Sequence, residues 1–180
     1  MAAGVLRRAS QRLRASGAQR RRYEAFRAQV EPGIAPRVHR FAAAPRVLGD
    51  LPPVPLAVCI DTESGGDTAA TLASLDRQSV APVDVTRAPG LEALSPELSD
   101  WLVLVRTGDR LAPTALETLG CAVAAAPDAA LITCDEDRLD RRGRRANPVC
   151  RPGPSPDFML AHDLTGSLIA VRREAAHAAA

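Results

Sequence analysis

A chain of 180 residues is long enough for one domain with a real core. Its apolar content is 46% and its aromatic content only 3%, so that core must be built from Ala, Val and Leu. A net charge of +2 hides an asymmetry: residues 1–50 hold 11 arginines against Glu24, Glu31 and Asp50, a net of +8, while residues 51–180 hold 12 arginines against 18 acids, a net of −6. No stretch approaches the ~18 consecutive apolar residues of a membrane span. The amino terminus carries arginine throughout and lacks the apolar segment of a secretory signal, which points to the cytoplasm. Every basic residue is arginine, a coding bias more than a functional mark. Cys59, Cys121, Cys134 and Cys150 have no C-x-x-C spacing, so buried free thiols in a reducing compartment are expected.

In chain order, residues 3–30 read as a helix whose large apolar residues, among them Tyr23 and Phe26, are set among arginines. Pro32, Gly33 and Pro36 end it, and a second short helical stretch is expected over 37–47. Leu51-Pro52-Pro53-Val54-Pro55 is a stiff linker. It separates a basic helical arm, 1–50, from an α/β domain, 56–180. From Leu56 strand and helix alternate. The run LAVCI (56–60) is a buried strand, and Ser64-Gly65-Gly66-Asp67 is a turn that caps a helix ending near Gln78. VDVT (83–86) is a second strand, 87–100 a loop, and WLVLV (101–105) a third strand. Pro113 is placed at the first position of a helix that runs to Pro127, and AALITC (129–134) is a fourth strand. Asp140-Arg141-Arg142-Gly143 reads as a hairpin tip, 155–163 as a capped helical turn, 164–171 as a strand, and Arg173 onward as a helix. Short connections between alternating elements argue for a mostly parallel sheet with helices on both faces.

Several clusters invite a chemical reading. Asp135, Glu136 and Asp137, with Asp140 nearby, are the residue types a hard cation binds. Neighbours on a strand point to opposite faces, however. Arg138, Arg141, Arg142, Arg144 and Arg145 follow, so a solvated, salt-bridged hairpin is the simpler expectation. Gly65-Gly66 after a strand could offer backbone N–H groups to a phosphate, but lacks the full G-x-G-x-x-G. His39, His162 and His177 are isolated, and no nucleophile–histidine arrangement follows from spacing. The arginine-rich arm suits an anionic membrane surface. With only Tyr23 and Phe26 among its arginines it is a poor platform for base stacking, which argues against nucleic acid.

Taken in order, these pieces resemble the family 2 glycosyltransferases, in particular the bacterial branch linked to O-antigen and other surface polysaccharides. CDEDRLDRRGRRANPVCRPGPSPDFMLAHDLTGSLIAVRR carries the likeness. It parallels that branch's Y-S-D-E-D-x-x-D-x-x-G-x-R-x-x-P-x-x-K-P-x-W-S-P-D-x-L-L-x-x-N-Y-I-G-x-L-x-x-V-R-R. LAPTALETLGCAVAAAPDAALI, ASLDRQSVAP and RRYEAFRAQVEP resemble the elements upstream. The resemblance implies an A-type glycosyltransferase (nucleotide-diphospho-sugar transferase) fold, with a mostly parallel sheet flanked by helices. It implies an enzyme that moves a sugar from a nucleotide-sugar donor to a saccharide or lipid-linked acceptor in surface-polysaccharide synthesis. The setting would be cytoplasmic, peripheral to the inner face of the plasma membrane, with Mg2+ or Mn2+ neutralising the leaving diphosphate.

Carried over residue by residue, the donor positions are Asp61, Thr62 and Glu63 after the first strand and Arg106 and Asp109 after the third. Asp135, Glu136, Asp137 and Arg151 fall on the acceptor side or in a structural hairpin, and the family's base is expected beyond residue 180. The chain departs from the pattern where the metal would sit. The family's L-D-x-D-D-x-L-x-P turn is matched by VRTGDRLAP, 105–113, so both outer carboxylates of D-x-D have become Arg106 and Gly108. Asp109 alone keeps its place as a metal-ligand candidate. The P-x-Y-N and D-D-G-S ends of the first two strands are also absent. A non-catalytic binding or adaptor module of the same fold is therefore the alternative. Arg106 offers a further variant, a guanidinium standing where the metal's charge would be.

Overall fold

The computed structural model describes residues 17, 21–25, 27–29, 51–63, 65–89, 99–151, 157 and 165–179. The expected helices over 37–47 and 155–163 lie outside the described residues, Asp157 excepted. In chain order the elements are β1 (Ala57–Asp61), α1 (Ala69–Leu75), β2 (Asp84–Ala88), β3 (Trp101–Arg106), α2 (Ala115–Ala125), β4 (Leu131–Thr133), β5 (Glu136–Leu139), β6 (Arg145–Val149), β7 (Leu168–Arg172) and α3 (Arg173–Ala179). The backbone divides into two compact units: Pro36–Cys134 with Arg151–Ala180, and Met1–Ala35 with Asp135–Cys150.

The larger unit is built on a sheet of order β2-β1-β3-β7-β4. β1 runs parallel to both β2 and β3, and β7 is antiparallel to β3 and β4. The result is a mixed α/β unit with a mostly parallel sheet, compatible with a Rossmann-like fold. Strand periodicity sorts the core into two layers. Val58, Ile60, Val103 and Val105 face one side with Leu75 of α1 and Leu116, Leu119 and Val123 of α2. Ala57, Cys59 and Leu102 face the other, with Ala176 of α3. The near absence of aromatic bulk is met by short side chains packed tightly: Ile60 and Val103 are wholly buried.

Two features fasten the end of the sheet remote from the carboxyl edge of β1–β3. The Arg172 guanidinium lies 5.0 Å from the centre of the Trp101 ring, and its Nε and Nη2 donate to the carbonyls of Ala129 and Pro127. Arg173 pairs with Asp100 at 3.1 Å. Leu51–Pro55 belong to this unit as well: the Val54 amide donates to the Gly120 carbonyl at 3.1 Å, and the Cys121 thiol to the Leu51 carbonyl at 3.4 Å.

In the smaller unit residues 21–25 and 27–29 are helical, and β5 and β6 form an antiparallel hairpin. Asp140 organises its tip. Its carboxylate accepts the amides of Arg142 (2.8 Å) and Arg144 (2.9 Å) and the Arg144 side chain (2.9 Å), and these donors hold its pKa below the usual range. Tyr23 donates its hydroxyl to the Asp137 carboxylate, which also accepts Arg145 Nε at 2.5 Å.

Some boundaries differ from those read in the sequence, each for a local reason. α2 starts at Ala115 with Thr114 as its N-cap, so Pro113 precedes the helix and does not open it; the Pro113 carbonyl instead accepts the Ser79 amide at 2.7 Å. α1 stops at Leu75, and Gln78 turns back to donate to the carbonyl of Ser74 at 3.1 Å. β7 begins at Leu168 instead of 164, behind Gly166 at φ +74. Cys59 and Cys121 are buried as expected, but Cys134 is half-buried and Cys150, just beyond β6, is exposed.

Candidate functional site

Ligands of open α/β sheets sit outside the carboxyl ends of parallel strands, and here that edge is formed by β1, β2 and β3. Asp61, the last residue of β1, is in register with Ala88 on one side and Arg106 on the other. The Thr62 amide extends the ladder to the Ala88 carbonyl at 3.1 Å. Asp61 then closes a small turn of its own, its Oδ1 accepting the Glu63 amide at 2.9 Å. Its charge, after burial itself, pushes the neighbouring Cys59 thiol up.

The turn after β3 is held from three sides. Thr107 donates both its amide (3.0 Å) and its hydroxyl (2.8 Å) to the Asp61 carbonyl. The Gly108 amide donates to Thr71 Oγ1 at 2.9 Å, and the Asp109 amide to the Arg106 carbonyl at 3.1 Å. The Leu111 amide donates to Ser74 Oγ at 3.1 Å. Gln78 adds two more bonds, donating to the Ala112 carbonyl at 2.8 Å and accepting the Leu116 amide at 3.0 Å. Thr71, Ser74 and Gln78 are thus positioning residues that the sequence reading missed. Their spacing of three and four is the one signal that marked them, a polar stripe along a helix flank. The glycine turn after β1 comes close as well: a Cβ at Gly66 would lie 3.3 Å from the Thr107 methyl.

The fold therefore brings Asp61, Thr62, Glu63, Arg106 and Asp109 to one edge. Arg151 belongs to the same unit. Its guanidinium occupies the space that a side chain at Gly166 would fill, just ahead of β7 and at the same end of the sheet. Asp135, Glu136 and Asp137 lie in the other unit, where Asp137 is engaged by Tyr23 and Arg145.

The residues at this edge do not fit the divalent metal that the resemblance implies. Position 106 is an exposed arginine, and Gly108 adopts φ +89, a conformation that aspartate rarely takes. The turn backbone is therefore shaped for glycine where a D-x-D turn has a carboxylate. Among the described residues no three His, Cys, Asp or Glu side chains are grouped so as to hold a metal ion. Nor is any helix among them long and apolar enough to cross a membrane.

Comparison with known proteins gives one local likeness. The chain is 37% identical over 75 residues to the O-antigen biosynthesis protein RfbC of Myxococcus xanthus. That stretch is 42% of this chain and 6% of the relative, so the chain matches only a small part of it. No family model matches the chain, and no solved structure does.

Proposed function

We propose that the α/β unit handles a nucleotide-sugar at the carboxyl edge of β1–β3 and serves sugar transfer in the synthesis of a surface polysaccharide. The observation that carries this reading is the convergence of Asp61, Arg106 and Asp109 on one braced edge of a mostly parallel sheet. The local likeness to an O-antigen biosynthesis protein supports the polysaccharide setting, and the A-type glycosyltransferase fold suits the sheet order. In this reading Asp61 and Glu63 lie beside the nucleoside and Arg106 beside the diphosphate, whose negative charge grows as the sugar leaves. The acceptor is a saccharide or lipid-linked saccharide, and the arginine-rich arm brings the domain to an anionic membrane surface.

Amide shifts in a 15N spectrum, recorded with a panel of nucleotide-sugars, test the site. The expected result is perturbation confined to the residues around Asp61 and 106–109. A panel that leaves these amides unmoved overturns the reading. The altered turn favours a second reading, a binding module that retains the ligand without turning it over. Assays for sugar transfer and nucleotide-sugar hydrolysis separate the two, since only the first predicts product.

A further inference from the structure

The hydrogen bonding of the β3 turn decides what an anion could meet there. A backbone cradle for phosphate needs free N–H groups. The amides of Thr107, Gly108 and Asp109 are all engaged, by the Asp61 carbonyl, the Thr71 hydroxyl and the Arg106 carbonyl. α1 has only seven residues and supplies no such cradle of its own. The remaining cationic donor on the turn's first residue is the Arg106 side chain. It is exposed, and among the described residues its guanidinium forms no hydrogen bond or ion pair.

That freedom is unexpected, because Asp61 stands in register beside it on the next strand. Opposite charges side by side on neighbouring strands attract, though weakly where they are exposed. Here Asp61 Oδ1 is turned toward the Glu63 amide. The guanidinium is left facing solvent at the position where the family pattern has a metal-binding carboxylate. Guanidinium presents a planar fork of donors that matches two phosphate oxygens, and it stays charged at any working pH.

We propose that this edge takes a diphosphate without a divalent metal, on the Arg106 guanidinium. The inference rests on the nucleotide-sugar reading given above and specifies its chemistry. Thr71, Ser74 and Thr107 fix the backbone of the turn that carries the arginine. Asp61 bounds the site on the nucleoside side.

The test is calorimetric titration of the full chain with inorganic pyrophosphate and with UDP, in EDTA and then with Mg2+. The expected result is binding in EDTA that Mg2+ does not strengthen and that weakens as salt is raised. Arg106→Ala should lower affinity roughly tenfold or more, the equivalent of one charge-assisted hydrogen bond. Arg106→Lys should fall between, and Arg110→Ala, an exposed arginine of the same loop, should bind like the parent. Circular dichroism of each variant guards against misfolding. Binding that appears only with Mg2+ or Mn2+ overturns this inference and leaves the nucleotide-sugar reading standing. Binding in EDTA that survives Arg106→Ala also overturns it. Absence of binding under every condition overturns both. Pyrophosphate binding through Arg106 with no response to any nucleotide-sugar sustains the inference and removes the broader reading.

Discussion

Replacing Ser74 with alanine tests whether α1 holds the β3 turn. Ser74 is 1% exposed; its hydroxyl accepts the Leu111 amide at 3.1 Å and donates to the Thr71 carbonyl at 2.7 Å. The second bond is redundant, because that carbonyl lies inside the helix and has an intrahelical donor. The first is not: Leu111 is itself buried, so its amide would lose its partner away from water. An unsatisfied buried amide costs about 1–3 kcal/mol. Alanine returns roughly 0.5 kcal/mol of helix propensity. The net expectation is a loss of about 1–2 kcal/mol, read as a lower urea midpoint at unchanged slope. Ala73→Ser, at an exposed position of the same helix, isolates the propensity change and should shift stability by no more than about 0.5 kcal/mol. Hydrogen exchange at the Leu111 amide should speed up in Ser74→Ala and not in the control. A Ser74→Ala protein as stable as the parent, with Leu111 equally protected, refutes the claim that this helix fixes the turn.

Gly120→Ala should destabilise by about 1–2 kcal/mol despite better helix propensity, because overpacking outweighs the roughly 1 kcal/mol gained. The added Cβ would sit 2.7 Å from the Val54 carbonyl oxygen and 2.9 Å from Pro53 Cβ, so a more stable variant would mean that 51–55 do not pack on α2. Tyr23, the single tyrosine, has its pKa pushed up to about 12 by burial, by its hydrogen bond to Asp137 and by that carboxylate's charge. Because the folded value is raised, this contribution to stability is complete below the ordinary phenol value near 10. It fades as pH climbs through the folded value. Ultraviolet titration should show a late phenolate transition that Asp137→Ala moves down, and a parent protein titrating near 10 contradicts the contact. Among the thiols, exposed Cys150 should react first with a disulfide reagent, and buried Cys59, its pKa raised, only on unfolding. A fast phase that persists in Cys150→Ser disproves this order.

The elements legible in the sequence were those with continuous apolar runs. AVCI and WLVLV are buried on both faces, as central strands of a parallel sheet must be, and they stand out without alternation. β2 was shifted by a residue or two because it pairs along one side only, with Val85 exposed, so its pattern is weak. The residues at the carboxyl edge of β1 and β3 could be placed because they sit at strand ends, where position follows from the strand itself. Their supports could not be found. Thr71 and Gly108 are 37 residues apart, as are Ser74 and Leu111, and Tyr23 and Asp137 are 114 apart. A hydroxyl on a helix looks the same in sequence whether it faces water or a buried amide, and only the packing of α1 against the turn tells them apart.

The turn at 106–111 therefore separates two properties that sequence comparison tends to merge. Its shape is maintained with care: every amide from Thr107 to Asp109 is bonded, two buried hydroxyls hold it from α1, and Gly108 takes a conformation closed to most residues. Of the three carboxylates of the D-x-D-D pattern it carries one, Asp109, with Arg106 and Gly108 at the other two positions. The two buried hydroxyls would be costly without the turn amides they accept. That bracing surrounds an exposed arginine. Under the proposed nucleotide-sugar reading, Arg106 would supply at this turn the positive charge that meets the diphosphate. The pyrophosphate titration in EDTA is thus the decisive measurement for this edge.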